Sequence, residues 1–265
     1  MGESMGMRYY RSMIVLAMAT FAAALAMFVG SAWAGERLGG PIYTARLAQV
    51  LILLAVLLPS VARTDRGTLP RRLWLVIALA VALAVAPVAM ETANAYLGRE
   101  HFSQDIVFLF YLLVFIPVLV AVGIFYFGFR KLGFAFRRKA TWSVLPSLAV
   151  FVGVTVAFLI VPMARGGGDA AVKASDIFSL VVQIGALCVI SLMAVTIGRG
   201  EAGRPYVWLA LALACIIIQT ILTAHIRLVG IMHTNEPADI FVHLGYLFLT
   251  VAAYHQGRLA ARVGG

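Results

Sequence analysis

Residues 73–97 read LWLVIALAVALAVAPVAMETANAYL, and the first 18 of these 25 positions carry no charged side chain. A helix needs about 20 mainly apolar residues to cross roughly 30 Å of hydrocarbon. The run is continuous, whereas a strand of a membrane barrel alternates apolar and polar positions over about ten residues. It therefore predicts a transmembrane helix.

The composition of the whole chain indicates the same class of protein. Of its 265 residues, 63% are hydrophobic and 12% are charged, and the mean hydropathy is +0.98. A soluble domain has about 45–50% apolar and about 25% charged residues. Cys188 and Cys215 both lie in apolar runs and predict neither a disulfide framework nor a zinc site. The composition excludes an ordinary soluble domain and predicts an all-α, polytopic integral membrane protein.

Eight apolar runs predict a bundle of eight transmembrane helices in a single domain, residues 1–265. Their approximate bounds are 12–34, 42–62, 73–97, 105–128, 142–164, 176–197, 206–227 and 239–256. For residues 1–34 a cleaved signal peptide is an alternative, because Arg8 and Arg11 precede the run and Ala32-Trp33-Ala34 is typical of a cleavage site. The first run is longer than a usual signal-peptide core, so a retained helix is favoured.

The placement of charge predicts the orientation of the helices. With the N-terminus inside, 15 of the 21 Lys and Arg residues lie on the inner side, and 8 of the 11 acidic residues lie on the outer side. Because basic loops stay on the cytoplasmic side, both termini are predicted to be cytoplasmic, in a cell inner (plasma) membrane. The net charge of +10 then requires no nucleic acid as a partner, since basic loops of this kind attract anionic lipid headgroups.

A repeated hairpin is predicted from the way the runs begin. From the third onward, odd-numbered runs begin with a basic cluster and then tryptophan, at Trp74, Trp142 and Trp208. The even-numbered runs begin with aspartate, at Asp105, Asp176 and Asp239. The Trp-to-Asp spacings are 31, 34 and 31 residues. We expect parallel hairpin repeats, with tryptophans as interfacial anchors and aspartates as N-caps.

Polar side chains are concentrated near the predicted outer ends of the helices, and the predicted inner halves hold almost nothing ionisable. An ion path needs polar groups through the whole membrane. The asymmetry therefore favours a pocket that opens outward over a channel. The predicted ligand-binding residues are Glu91, Asn94, Gln183, Arg227, Asp239 and His243.

Two charge pairs are expected in this pocket. Arg46 and Glu91 lie at similar depth on the second and third runs, and Arg227 is close in sequence to Glu236 and Asp239. A buried charge needs a partner. These groups are interpreted either as ion pairs that hold the bundle together or as contacts to a ligand.

His225 and His243 raise the possibility of a cofactor. The short connection makes the seventh and eighth runs antiparallel neighbours, so facing imidazoles are expected to be able to ligate a haem iron or another metal. Their spacing matches no established metal motif. The alternative is that His243 bonds Asp239 one turn earlier on the same helix, forming a pair that responds to acidity.

The last run contains Pro237-Ala238-Asp239 and Gly245-Tyr246. Over residues 235–256 it resembles the final helix of the multi-helix membrane input modules that precede signalling domains in bacterial sensor kinases and diguanylate cyclases. The resemblance implies a sensory input role. The sequence stops at Gly265 without a kinase, cyclase or coiled-coil output, so that role is expected to act through a separate membrane or cytoplasmic partner.

Together these features predict a non-enzymatic sensor-like or ligand-binding membrane module, or a subunit of a larger membrane complex. No catalytic residue is predicted, because Gly166-Gly167-Gly168 has neither the preceding strand nor the following Lys-Ser/Thr of a phosphate-binding loop. Two alternatives stay open. One is a haem- or metal-binding redox protein that uses His225 and His243, and the other is a transporter.

Overall fold

The computed structural model describes residues 5–34, 39–97, 101–131, 138–157, 161, 170–197, 200–229 and 238–263. Within these ranges the chain is helical apart from short connections, and it contains no strand. A backbone in lipid must satisfy its own hydrogen bonds, and a helix does so within one segment. The predicted all-α class is confirmed.

The described residues form eight helices. They are α1 (Met5–Ala34), α2 (Gly39–Arg63), α3 (Leu69–Leu97), α4 (Gln104–Lys131), α5 (Arg138–Thr155), α6 (Ala170–Ile197), α7 (Arg204–Val229) and α8 (Asp239–Val263). Six of them, α1 to α4, α6 and α7, are long and apolar enough to cross a membrane. The chain is therefore a helical protein of the multi-pass membrane type.

Most helices extend beyond the apolar runs that predicted them. α1 begins at Met5 instead of residue 12, and α6 begins at Ala170 instead of residue 176. An apolar run marks the hydrocarbon core of a bilayer, whereas the helix continues into the polar headgroup region. The predicted fifth run, 142–164, differs most: α5 ends at Thr155, and much of the remaining run lies outside the described residues.

α8 is less apolar than those six helices. Its position in the bundle explains why it can carry polar side chains. It packs against α1, α2 and α7. His243, Thr250 and Gln256 are all buried along it. Polar groups within a membrane protein face the protein interior, so a helix in this position can carry more of them than a lipid-facing helix.

The other helices form a connected series of packed pairs. α2 packs against α3, α3 against α4, α4 against α6, and α6 against both α5 and α7. This order brings the starts of α2, α4 and α8 and the end of α3 to one end of the bundle, called here the Glu91 end. The opposite end, where α2 and α8 finish and α1 and α7 begin, is called the Ser60 end.

Small residues allow close helix approach at the Ser60 end. The Ser60 hydroxyl lies 2.7 Å from the Val56 carbonyl oxygen, 3.1 Å from that of Ala253 and 3.2 Å from the Tyr10 hydroxyl. A Cβ atom on Gly257 would lie 2.7 Å from Ser60 Oγ and 2.8 Å from the Tyr10 hydroxyl oxygen. Small residues at helix contacts let membrane helices pack closely. The contact at Ser60 and Gly257 joins α1, α2 and α8.

The three tryptophans of the predicted repeat lie in different environments. Trp74 is fully buried, Trp142 is 66% exposed, and Trp208 is half-buried with its ring 5.4 Å from that of Phe248. The expected role of interfacial anchor is therefore wrong for Trp74, whose indole packs in the apolar core. The hairpin repeat itself stays a prediction.

Candidate functional site

Three helices contribute a charged group of side chains at the Glu91 end. Arg46 Nη1, on α2, donates to Glu91 Oε2, on α3, at 3.0 Å. Arg46 Nη2 donates to the Tyr111 hydroxyl, on α4, at 3.1 Å, and that hydroxyl donates to Glu91 Oε2 at 2.8 Å. The predicted Arg46–Glu91 pair is confirmed, with Tyr111 as a third member.

This group is mostly shielded from solvent. The side chains of Arg46 and Glu91 are 11% and 24% exposed. Removing an ion from water costs on the order of several kcal/mol. That cost is offset only when the two charges of an ion pair are well placed and make further hydrogen bonds. Tyr111 supplies such bonds, since it accepts from the guanidinium and donates to the carboxylate.

Gln49 and His243 form a second polar contact beside the first. Gln49 Oε1, on α2, lies 2.7 Å from His243 Nδ1, on α8, and both side chains are buried. An amide oxygen accepts only, so the proton in this contact belongs to Nδ1. The expected hydrogen bond from His243 to Asp239 is therefore wrong. The imidazole points across to α2 instead of lying along its own helix. It packs edge-on against Phe28 of α1, with 5.9 Å between the two ring centroids.

Three polar atoms in this region are buried without a hydrogen-bond partner: Arg46 Nε, Gln49 Nε2 and His243 Nε2. Arg46 and Gln49 are three residues apart and so lie on one face of α2. A buried polar atom without a partner costs about 1–3 kcal/mol, and such atoms are rare in proteins. With Nδ1 protonated, the region offers two donors and one acceptor. We call Arg46, Gln49, Glu91, Tyr111 and His243 the polar cluster.

Asn94 also lies at the Glu91 end, but its side chain is engaged by the backbone. Asn94 Nδ2 donates to the Phe102 carbonyl oxygen at 2.9 Å, and the Phe102 amide donates to Asn94 Oδ1 at 2.8 Å. The side chain thereby joins the end of α3 to the segment that precedes α4. Its amide group holds this connection in place.

The other predicted binding residues make no hydrogen bond to the polar cluster among the residues that the structure describes. Asp239 begins α8, one turn before His243, and lies within electrostatic range of Arg46. Gln183 is on α6, which packs against α4, α5 and α7, and its buried Oε1 has no hydrogen-bond partner. The side chain of Arg227 and the whole of Glu236 lie outside the described residues.

The two histidines considered as metal ligands contact different helices. His225 lines an apolar crevice of about 370 Å³ between α5 and α7, together with residues such as Phe151 and Ile221. His243 contacts α1 and α2. The bis-histidine hypothesis therefore gains no geometric support. No group of three His, Cys, Asp or Glu side chains within the described ranges is arranged to hold a metal ion.

The sequence predicted the pairing of Arg46 with Glu91, but it did not predict that Tyr111 and Gln49 belong to the polar cluster. A usable signal existed for Tyr111, because it is the one side chain with a hydrogen-bonding group between residues 106 and 125. No comparable signal linked Gln49 to His243, since a contact between helices this distant in sequence depends on which helices pack together.

Comparison with known protein families, curated proteins and solved structures finds no match for this chain.

Proposed function

We propose that this chain is a multi-pass protein of an inner (plasma) membrane, with eight spans and both termini in the cytoplasm. Six helices that are long and apolar enough to span support the proposal. α5 and α8 would complete an even number of crossings. The concentration of 15 of 21 basic residues on one side supports the orientation.

Reporter fusions to the full chain test this topology. We expect a fluorescent protein fused after Gly265 to fluoresce in the cytoplasm, and alkaline phosphatase fused after residue 36 or residue 99 to be active outside it. The same phosphatase fused after Arg66 is the matched control and should be inactive. Phosphatase activity after Arg66, or an extracytoplasmic C-terminus, would contradict the proposed orientation.

The proposed activity is that of a non-enzymatic, sensor-like module that binds a small ligand at the Glu91 end and acts through a separate membrane or cytoplasmic partner. The observation that carries it is that Arg46 Nε and Gln49 Nε2 on α2, and His243 Nε2 on α8, are buried without a hydrogen-bond partner. Groups that served only to hold helices together would be expected to satisfy one another.

The chemistry of these atoms specifies the class of ligand. Arg46 Nε and Gln49 Nε2 are both N–H donors. A carbonyl or carboxylate group accepts from such donors, and a guanidinium favours an anionic acceptor. We therefore propose a small molecule that carries a carbonyl or carboxylate group.

Binding at this position would couple two helices that both reach the Ser60 end. A ligand shifts a conformational equilibrium only by its difference in affinity for the two states. One that bonds both α2 and α8 would favour the arrangement in which the two helices are held together. A partner at the Ser60 end would then detect that arrangement.

A thermal-shift experiment on the purified full chain tests the ligand class. The probes are acetate, succinate, acetamide, glutamine and a short-chain quinone, each added to the protein in detergent. We expect at least one probe to raise the unfolding temperature of the wild-type protein, and Gln49→Met to abolish that shift. Gln183→Met makes the same chemical change at a second buried glutamine and should retain it.

Two results would overturn the ligand proposal. One is that none of the probes changes the unfolding temperature of the wild-type protein. The other is that Gln49→Met and Gln183→Met respond to a probe as strongly as the wild type does.

A further inference from the structure

A second group of charged side chains lies at the Ser60 end, away from the polar cluster. The end of α8 and the start of α7 enclose a small crevice there. Its lining residues are Glu201, Arg204, His255, Arg258, Leu259 and Arg262.

The charges in this crevice are strongly unbalanced. Three arginines and one carboxylate line it, and that carboxylate, Glu201, forms an ion pair with Arg262. The guanidinium of Arg258 stacks over the ring of Tyr254, with its carbon 5.6 Å from the ring centroid. Stacking uses the face of the guanidinium and leaves the N–H groups at its edge available for an anion. Arg204 and Arg258 therefore present positive charge that Glu201 does not neutralise.

An apolar surface continues from the crevice along α7. Val207 and Leu211 are 45% and 42% exposed, three and seven residues after Arg204. Residues at these spacings share one face of a helix. A molecule bound beside Arg204 would therefore contact positive charge with one end and the exposed side chains of Val207 and Leu211 with the other.

We propose that this crevice binds the phosphodiester headgroup of an anionic phospholipid, with an acyl chain of that lipid along Val207 and Leu211. Arg204 and Arg258 contact the phosphate from two different helices, and Leu259 packs against the glycerol region. Bound lipid would bridge the start of α7 and the end of α8. The inference requires that the chain spans a membrane, but it is independent of the ligand proposed at the Glu91 end.

Native mass spectrometry of the purified full chain tests this site. The protein is titrated with phosphatidylglycerol, or with phosphatidylcholine carrying the same acyl chains. We expect tighter binding of phosphatidylglycerol to the wild type, and a loss of roughly 5-fold in that affinity for each arginine removed in Arg204→Gln and Arg258→Gln. Arg66→Gln with Arg72→Gln is the matched control, because both residues are exposed at the same end outside the crevice.

The outcomes separate a defined lipid site from its alternatives. An equal loss of affinity in the Arg66/Arg72 control would show a diffuse basic surface and overturn the proposal. So would equal binding of the two lipids. Full displacement of the lipid by glycerol 3-phosphate at an equal concentration would show that the acyl chain adds nothing to binding, and would overturn the proposal. The double variant Arg204→Gln, Arg258→Gln should unfold in phosphatidylcholine at the same temperature as the wild type, which confirms that it is folded.

Discussion

Gln49 Oε1 lies 2.7 Å from His243 Nδ1, and this contact joins two helices across 194 residues of sequence. Both side chains are almost completely buried, at 2% and 1% exposure. In a bundle surrounded by lipid, neither group would find a partner on an outward-facing helix surface. The contact therefore fixes the face that α8 turns toward α2.

A double-mutant cycle measures what this contact contributes. We expect Gln49→Leu and His243→Leu each to destabilise the protein, and the double variant to be less destabilised than the sum of the two. The coupling should be about 1 kcal/mol, because hydrogen bonds between membrane helices are modest in strength. Reversible unfolding in mixed detergent micelles gives the four free energies. A coupling of zero would mean that the two side chains do not bond in the folded protein.

The Arg46–Glu91 pair should behave differently, because it involves full charges. We expect Glu91→Leu to destabilise the protein by about 3–5 kcal/mol, since it leaves the Arg46 guanidinium buried without its carboxylate. The double variant Arg46→Met, Glu91→Leu should recover much of that loss. The same unfolding measurement checks both variants. If the double variant is as unstable as the sum of its parts, the two groups are not an ion pair.

Tyr111→Phe provides a milder change at the same group. It removes the hydroxyl that accepts from Arg46 and donates to Glu91, but the ion pair stays. We expect a loss of about 1–2 kcal/mol, less than that caused by Glu91→Leu. An effect as large as that of Glu91→Leu would show that the hydroxyl, rather than the direct pair, holds the three helices together.

The sequence was sufficient to predict the helical class and the Arg46–Glu91 pair, for clear physical reasons. Long uncharged runs have few alternatives to a membrane helix. A lone arginine and a lone glutamate at the same depth on consecutive runs have few partners other than each other. The partner of His243 was not predictable in this way, because Asp239 and Gln49 are both plausible acceptors. The choice depends on the rotation of α8 against α2, which the packing of many apolar side chains determines.

Trp74 illustrates the same limit. A tryptophan beside two arginines at a helix start is typical of the membrane interface, yet its side chain is fully buried. Sequence position gives the depth of a residue in the membrane, but not whether it faces lipid or another helix.

Asn94 should act as a structural connection between α3 and α4. Asn94→Asp keeps the oxygen that accepts from the Phe102 amide but loses the donor to the Phe102 carbonyl. We expect a destabilisation of about 1–2 kcal/mol, because the partly buried Phe102 carbonyl loses its donor. Limited proteolysis of the folded protein should also cut faster within residues 101–103, which precede α4. A variant with unchanged stability and cleavage rate would show that the connection forms without this side chain.

A larger side chain at Gly257 should lower the stability of the protein, because this position is enclosed by two other helices. A Cβ atom would lie 2.7 Å from Ser60 Oγ on α2 and 2.8 Å from Tyr10 Cζ on α1, well inside normal contact distances. We expect Gly257→Ala to separate these helices and to lower stability by about 1–3 kcal/mol. Gly185→Ala on α6 is the matched control, since no atom outside its own helix lies within 4 Å of the added carbon. There the change should be neutral or should stabilise the helix by up to about 1 kcal/mol. Thermal unfolding of both variants in the same detergent separates the two effects, and equal behaviour of the two would contradict the close packing of α1, α2 and α8 at the Ser60 end.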